Sequence, residues 1–128
     1  MSVKVVLADD AEIMRKAIRK LLADREDIAV LGEASNFDEA IQKTAELHPD
    51  LIILDAHLAL EAETLPTEAK SLLNGAKVLA ISLSTDDETR ELAASVGAVK
   101  LLDKMHLSDQ LVPSILELGE VQSSSATA

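Results

Sequence analysis

Five chemically capable residues stand where apolar runs end. Asp9 and Asp10 end VVLADD (Val5–Asp10), and Asp55 ends PDLIILD (Pro49–Asp55). Ser82 ends VLAIS (Val78–Ser82), and Lys104 ends GAVKLLDK (Gly97–Lys104). Each has an ordinary reading on its own. An acid after a strand often caps the next helix, a strand-end serine often bonds backbone, and a lone lysine is usually a solvated amine. Their joint placement at four strand ends is what those readings leave unexplained. The chemistry that uses this set is phosphoryl transfer to a carboxylate. Three neighbouring acids repel one another, and a hard divalent cation such as Mg2+ relieves that repulsion through oxygen ligands. On this reading Asp10 and Asp55 ligate the ion directly and Asp9 through water or as an outer ligand. An Asp55 oxygen attacks phosphorus. Lys104 supplies a point charge to one phosphoryl oxygen, and Ser82 donates a hydroxyl hydrogen bond to another.

Side chains so far apart in sequence meet only if the fold gathers strand ends. Short apolar runs at Val3–Ala8, Ile28–Ala34, Leu51–Leu54, Lys77–Ser82 and Ala98–Leu102 are strand candidates. The continuously apolar Leu51–Leu54 suits a strand buried on both faces, as in a parallel sheet. Between the strands lie helical patterns. Ala11–Leu22 carries Ile13, Met14, Ala17, Ile18, Leu21 and Leu22 opposite a basic face of Arg15, Lys16, Arg19 and Lys20. Phe37, Ala40, Ile41, Thr44, Ala45 and His48 mark the inner stripe of a second helix, capped by Asn36 or Ser35 and stopped by Pro49. Pro66–Leu73, ended by Asn74-Gly75, predicts a third helix, and Asp86–Val96, stopped by Gly97, a fourth. Leu107–Leu118, with Pro113 as a bending point, predicts a fifth. Five strands alternating with five helices predict an α/β fold, an open doubly wound (βα)5 parallel sheet. Ligands of such sheets bind outside the carboxyl ends of the strands.

Composition narrows the classes further. The 128 residues predict one domain, here 1–120, followed by a small polar segment, 121–128, that reads as a flexible tail or linker stub. Phe37 is the lone aromatic, so the core must be aliphatic. Cysteine is absent, which excludes disulfides, zinc thiolates and cysteine nucleophiles. A net charge of −11 argues against these residues contacting nucleic acid or anionic lipid. No apolar run approaches the ~20 residues that span a bilayer. With no leader-like start, the reading is a soluble, cytoplasmic protein.

The four motifs, in this order and at these separations, resemble the receiver domain of bacterial two-component response regulators over about residues 3–119. The resemblance implies the chemotaxis-regulator fold, with a five-stranded parallel sheet in flavodoxin-like order 2-1-3-4-5. It makes Asp55 the phosphoacceptor. It makes Asp9, Asp10 and Asp55 an Mg2+ pocket, joined by the backbone carbonyl of His57. Ser82 and Lys104 become the residues that contact the phosphoryl group and switch. The implied donor is a sensor histidine kinase or a phosphotransfer protein, and Asp55 later loses the group to water. Partner binding then changes on the face of the fourth helix, fifth strand and fifth helix, with homodimerisation a further option. The domain assists its own phosphorylation and dephosphorylation but is not a turnover enzyme. GEAS (Gly32–Ser35) and KMHLSDQLVPSIL (Lys104 onward) resemble receivers that precede a helix-turn-helix DNA-binding domain.

The chain also departs from the family pattern. Leu101 occupies the switch position where an aromatic is usual, and Leu83 follows Ser82 where a small residue is typical, so it narrows access to Asp55 or replaces the missing ring. Ala59 and Met105 stand where prolines are common, and the glycine near Glu63 is missing. Without proline at Met105 the cis bond usual there is not expected. His57 reads first as an exposed loop histidine, with a role near the attacking water as the sharper option. His48 and His106 read as helix-boundary residues. These departures keep a second reading open, a degenerate receiver acting as a phosphorylation-independent interaction module. An aspartyl phosphatase is disfavoured because His57 stands where those enzymes want a second aspartate. A dinucleotide-binding domain is disfavoured because no G-x-G-x-x-G follows the first strand.

Overall fold

The computed structural model of the chain describes residues 2–60 and 75–127, with side chains as far as Gly119. Its strands are β1 (Val3–Ala8), β2 (Ile28–Ala34), β3 (Leu51–Asp55), β4 (Lys77–Ser82) and β5 (Ala98–Asp103). Its helices are α1 (Glu12–Leu22), α2 (Phe37–Leu47), α3 (Asp87–Ser95) and α4 (Leu107–Thr127). Short 3-10 turns, Ala56–Leu60 and Lys104–His106, follow β3 and β5. The sheet order is β2-β1-β3-β4-β5 and every adjacent pair is parallel, as the doubly wound reading expects. The third predicted helix, Pro66–Leu73, lies outside the described residues.

Each face of the sheet buries an aliphatic layer. On one face α1 and α4 place Ile18, Leu22, Leu107, Leu111 and Ile115 over Val5, Leu7, Leu51, Ile53, Leu79, Ile81 and Leu102. On the other, Phe37 and Ala40 of α2 meet Ile52, Leu54 and Val78. Burial of β3 on both faces is why its first four residues, Leu51–Leu54, are all apolar. It also makes Asp55 the first polar group the strand reaches.

The stripes are narrower than the sequence pattern predicts. Ile13 is 81 % exposed, and Ala17, Ala45 and His48 are exposed as well. Each helix needs only about a 100° face to reach the sheet, and these residues fall outside it. Of the two candidate caps for α2, Asn36 takes the role: its side chain accepts from the Glu39 amide at 2.8 Å. Ser35 instead donates to the Glu39 carboxylate at 2.9 Å. Asn36→Ala is therefore expected to cost about 1 kcal/mol, read as a lower urea midpoint with unchanged slope. At the other end, His48 ends α2 in the left-handed region, with φ 50°, ahead of Pro49. Gly97, with φ 81°, follows α3 where its stop was predicted.

α4 runs beyond its predicted end at Leu118 to Thr127, through residues 121–127 of the segment that reads as a tail. Gly119 does not end it. A Cβ at that position would stand 2.5 Å from Val3 Cγ2, so the glycine lets α4 lie close against β1. Lys77 holds the same region from β4, donating to the Leu118 carbonyl at 3.2 Å.

Candidate functional site

Parallel pairing brings the ends of β1, β3 and β4 side by side, and the turn after β5 returns Lys104 to the same edge. Asp9 is buried there, only 1 % exposed. Its amide donates to the Ala34 carbonyl at 3.0 Å and its Oδ1 accepts from the Ala11 amide at 2.9 Å. This is how an acid at a strand end came to look like a cap. The residue at the N-cap position of α1 is in fact Ala11, which makes no side-chain cap. Asp9 Oδ2 is buried and accepts no hydrogen bond among the described residues, although Lys104 Nζ faces it at 2.8 Å as an ion pair.

Asp55 shares that lysine. Its Oδ2 accepts from Lys104 Nζ at 2.9 Å, and its Oδ1 accepts from the His57 amide at 2.9 Å. Asp10 is exposed at the mouth of the site. One carboxylate oxygen from each of Asp9, Asp10 and Asp55 lies within 4.8 Å of the others. The Lys104 side chain is 8 % exposed. Burial pulls its ammonium down, but the contacts and charges of Asp9 and Asp55 outweigh burial and hold it above the ordinary lysine value of 10.5.

Ser82 is fully buried, and its Oγ accepts from the Ser84 amide at 3.1 Å. The same oxygen lies 3.4 Å from His57 Nδ1, which is 3.5 Å from Asp55 Oδ1. His57 is thus a half-exposed side chain set between the serine and the carboxylate. Its position two residues beyond Asp55 was the available signal. Leu83 is 69 % exposed, so it does not fill the place of a missing ring. Leu101 is half-buried and packs against a cluster of small residues, Ala56, Ala80 and Ala93. His48 and His106 are exposed at the ends of α2 and of the turn after β5.

Arg15 departs from its sequence reading. Expected on the solvated basic face of α1, it is 16 % exposed; its Nη1 donates to the Asp9 carbonyl and its Nε to Glu33 Oε1 at 3.1 Å. Helical side chains lean toward the N-terminus, so a long residue in the first turns can reach back to the preceding strand end.

Three converging carboxylates fit a hard divalent cation, which prefers oxygen ligands. The remaining anionic charge is met by one buried ammonium. Residues 5–116 match the response regulator receiver domain family. The chain belongs to that family. This receiver domain is 33 % identical over 104 residues to a protein-glutamate methylesterase/protein-glutamine glutaminase of Methanosarcina acetivorans. That match takes in 81 % of the chain and 27 % of the methylesterase. It is 30 % identical over 124 residues to the response regulator protein VraR of Staphylococcus epidermidis, covering 96 % of the chain and 59 % of VraR. The chain therefore spans about a quarter to three-fifths of these relatives, and the methylesterase activity in the first name belongs to that longer protein. Among solved structures, it superposes with TM-score 0.78 on the signal receiver domain of the putative response regulator NarL from Mycobacterium tuberculosis. There the identity is 24 %, over 93 % of this chain and 97 % of that one. The response regulator domain of Thermotoga maritima CheB gives 0.72 at 19 %, over 92 % of this chain and 96 % of that one. These two likenesses concern the fold. No helix among the described residues is long and apolar enough to cross a membrane.

Proposed function

We propose that this receiver domain is a cytoplasmic phosphorylation switch with Asp55 as its acceptor. A histidine kinase or phosphotransfer protein presents a phosphohistidine. An Asp55 oxygen bonds to phosphorus as the N–P bond breaks, and the departing imidazole takes a proton from solvent. Water later attacks the same phosphorus, returning the Asp55 carboxylate and free phosphate. Asp9, Asp10, Asp55 and the His57 carbonyl are the residues that would hold Mg2+, which when bound neutralises the carboxylates and phosphoryl oxygens. Lys104, already within 2.9 Å of Asp55, supplies an ammonium to the incoming anion. Ser82 offers its hydroxyl proton to another phosphoryl oxygen.

The added group brings about −1.5 to −2 charges to a site whose balance Lys104 now maintains. Lys104 and Ser82 respond, and partner affinity changes on the face of α3, β5 and α4, where self-association is one outcome. Attachment to a DNA-binding output, as the GEAS and KMHLSDQLVPSIL stretches suggest, belongs to this same proposal. The carrying observation is the buried ion triad, with Lys104 Nζ 2.8 Å from Asp9 and 2.9 Å from Asp55. Leu101 in place of an aromatic favours the second reading, a module that binds partners without phosphorylation.

The test is mass spectrometry after incubation with acetyl phosphate. One phosphoryl group is expected with Mg2+ and none after EDTA. Absence of label with Mg2+, together with no binding of a beryllofluoride phosphoryl mimic, overturns the switch in favour of the second reading.

A further inference from the structure

We propose that Arg15 is a positioning residue for the acidic pocket, one that sets the Asp9–Asp10 peptide for a divalent cation. This rests on the reading of Asp9, Asp10 and Asp55 as the Mg2+ site and adds a residue that touches none of their carboxylates. The Asp9 backbone is held on both sides. Its amide donates to Ala34 O at 3.0 Å on β2, and its carbonyl accepts from Arg15 Nη1 on α1. That carbonyl belongs to the peptide plane that leads into Asp10. Rotation of this plane is the motion that would swing Asp10, the exposed member of the trio, out of reach of the other two. Because Arg15 donates to the carbonyl, it leaves the carboxylate oxygens free for a metal. A guanidinium on a carboxylate would compete for them instead.

Arg15 is itself held. Glu33 Oε1 takes its Nε at 3.1 Å, while Glu33 Oε2 takes Arg19 Nε at 3.0 Å. One carboxylate on β2 thus receives two arginines from α1, and the better-buried arginine passes the constraint on to β1. Arginine alone among cations suits this role, since a planar fork can serve two acceptors in different directions. Lysine could reach the carbonyl or Glu33 but would not hold the same geometry between them. An isolated surface ion pair contributes little. Here the pair is anchored to a buried backbone acceptor, and its effect falls on ligand geometry more than on global stability.

The experiment uses the full chain and Mg2+ alone, titrated by calorimetry, with Arg15→Met, Arg15→Lys and Glu33→Gln. Arg15→Met is expected to weaken Mg2+ about tenfold, as loss of partners that orient metal ligands commonly does. Arg15→Lys should recover part of that loss, and Glu33→Gln should show a smaller one. In acetyl phosphate labelling the half-saturating Mg2+ should rise in step. The rate at saturating Mg2+ should stay within about twofold, the split that separates ligand positioning from a role in the transfer step. Equal Mg2+ affinity in wild type and Arg15→Met overturns the positioning role while leaving the pocket reading intact. Wild-type protein that takes up no Mg2+ overturns both. Should Arg15→Met fail to fold, Glu33→Gln decides: weaker Mg2+ binding supports the proposal and unchanged binding overturns it.

Discussion

Asp55→Asn is expected to take up no phosphoryl group from acetyl phosphate, a fall of at least ~100-fold in labelling at saturating Mg2+, because an amide cannot form the acyl phosphate. The substitution is nearly isosteric, so the fold should survive it. The asparagine carbonyl can still accept from the His57 amide, which now donates to Asp55 Oδ1 at 2.9 Å. Lys104 retains Asp9 at 2.8 Å, so no cation is stranded. One negative charge leaves a crowded trio, and thermal stability should hold or rise. That combination, a stable protein without label, separates loss of the acceptor from loss of structure. Label that persists at the wild-type level would move the acceptor elsewhere, with Asp9 and Asp10 the next candidates.

What the sequence made legible follows from where the physics is local. A strand buried on both faces must be apolar throughout, so Leu51–Leu54 announces a central parallel strand, and the next residue, Asp55, necessarily stands at its carboxyl end. Alternation of strands and helices then places Asp9, Asp10, Ser82 and Lys104 on the same edge, since right-handed crossovers return every strand in one direction. Other features depend on reach and angle, which residue type does not encode. Arg15 sits on the polar side of a helical wheel, but its long stem carries the guanidinium back to Asp9. Ile13 looks apolar enough for the core, yet it lies outside the face that α1 turns to the sheet. His57, two residues beyond Asp55, reads first as a loop residue, because residue type alone does not show that a 3-10 turn brings its ring to 3.4 Å from Ser82. Gly119, just past the predicted end of α4, lies inside the helix, at the point where it meets Val3.

Lys104→Met should have the largest effect on stability among substitutions in the pocket, roughly 3 kcal/mol at pH 7 without Mg2+, because removing one partner of a buried ion pair leaves uncompensated charge. Here two carboxylates would be left. Asp9 Oδ2, buried and without a hydrogen bond, would lose the cation that faces it, and Asp55 Oδ2 would lose a 2.9 Å donor. Methionine matches the stem in length, so lost packing contributes little. The pH dependence separates charge from packing. Lys104 has a folded pKa above its unfolded value of 10.5, raised by Asp9 and Asp55 against the opposing effect of burial. Its contribution is fully present below 10.5 and declines as pH rises through the folded value. The stability gap between wild type and Lys104→Met in urea unfolding should therefore be constant from neutral pH to about 9 and narrow in more alkaline solution. Mg2+ should narrow the gap at pH 7, since a cation among Asp9, Asp10 and Asp55 replaces part of what the ammonium supplies. A gap indifferent to both alkali and Mg2+ would mean that Lys104 acts as a packed stem, and the charge balance assigned to this pocket would fail with it.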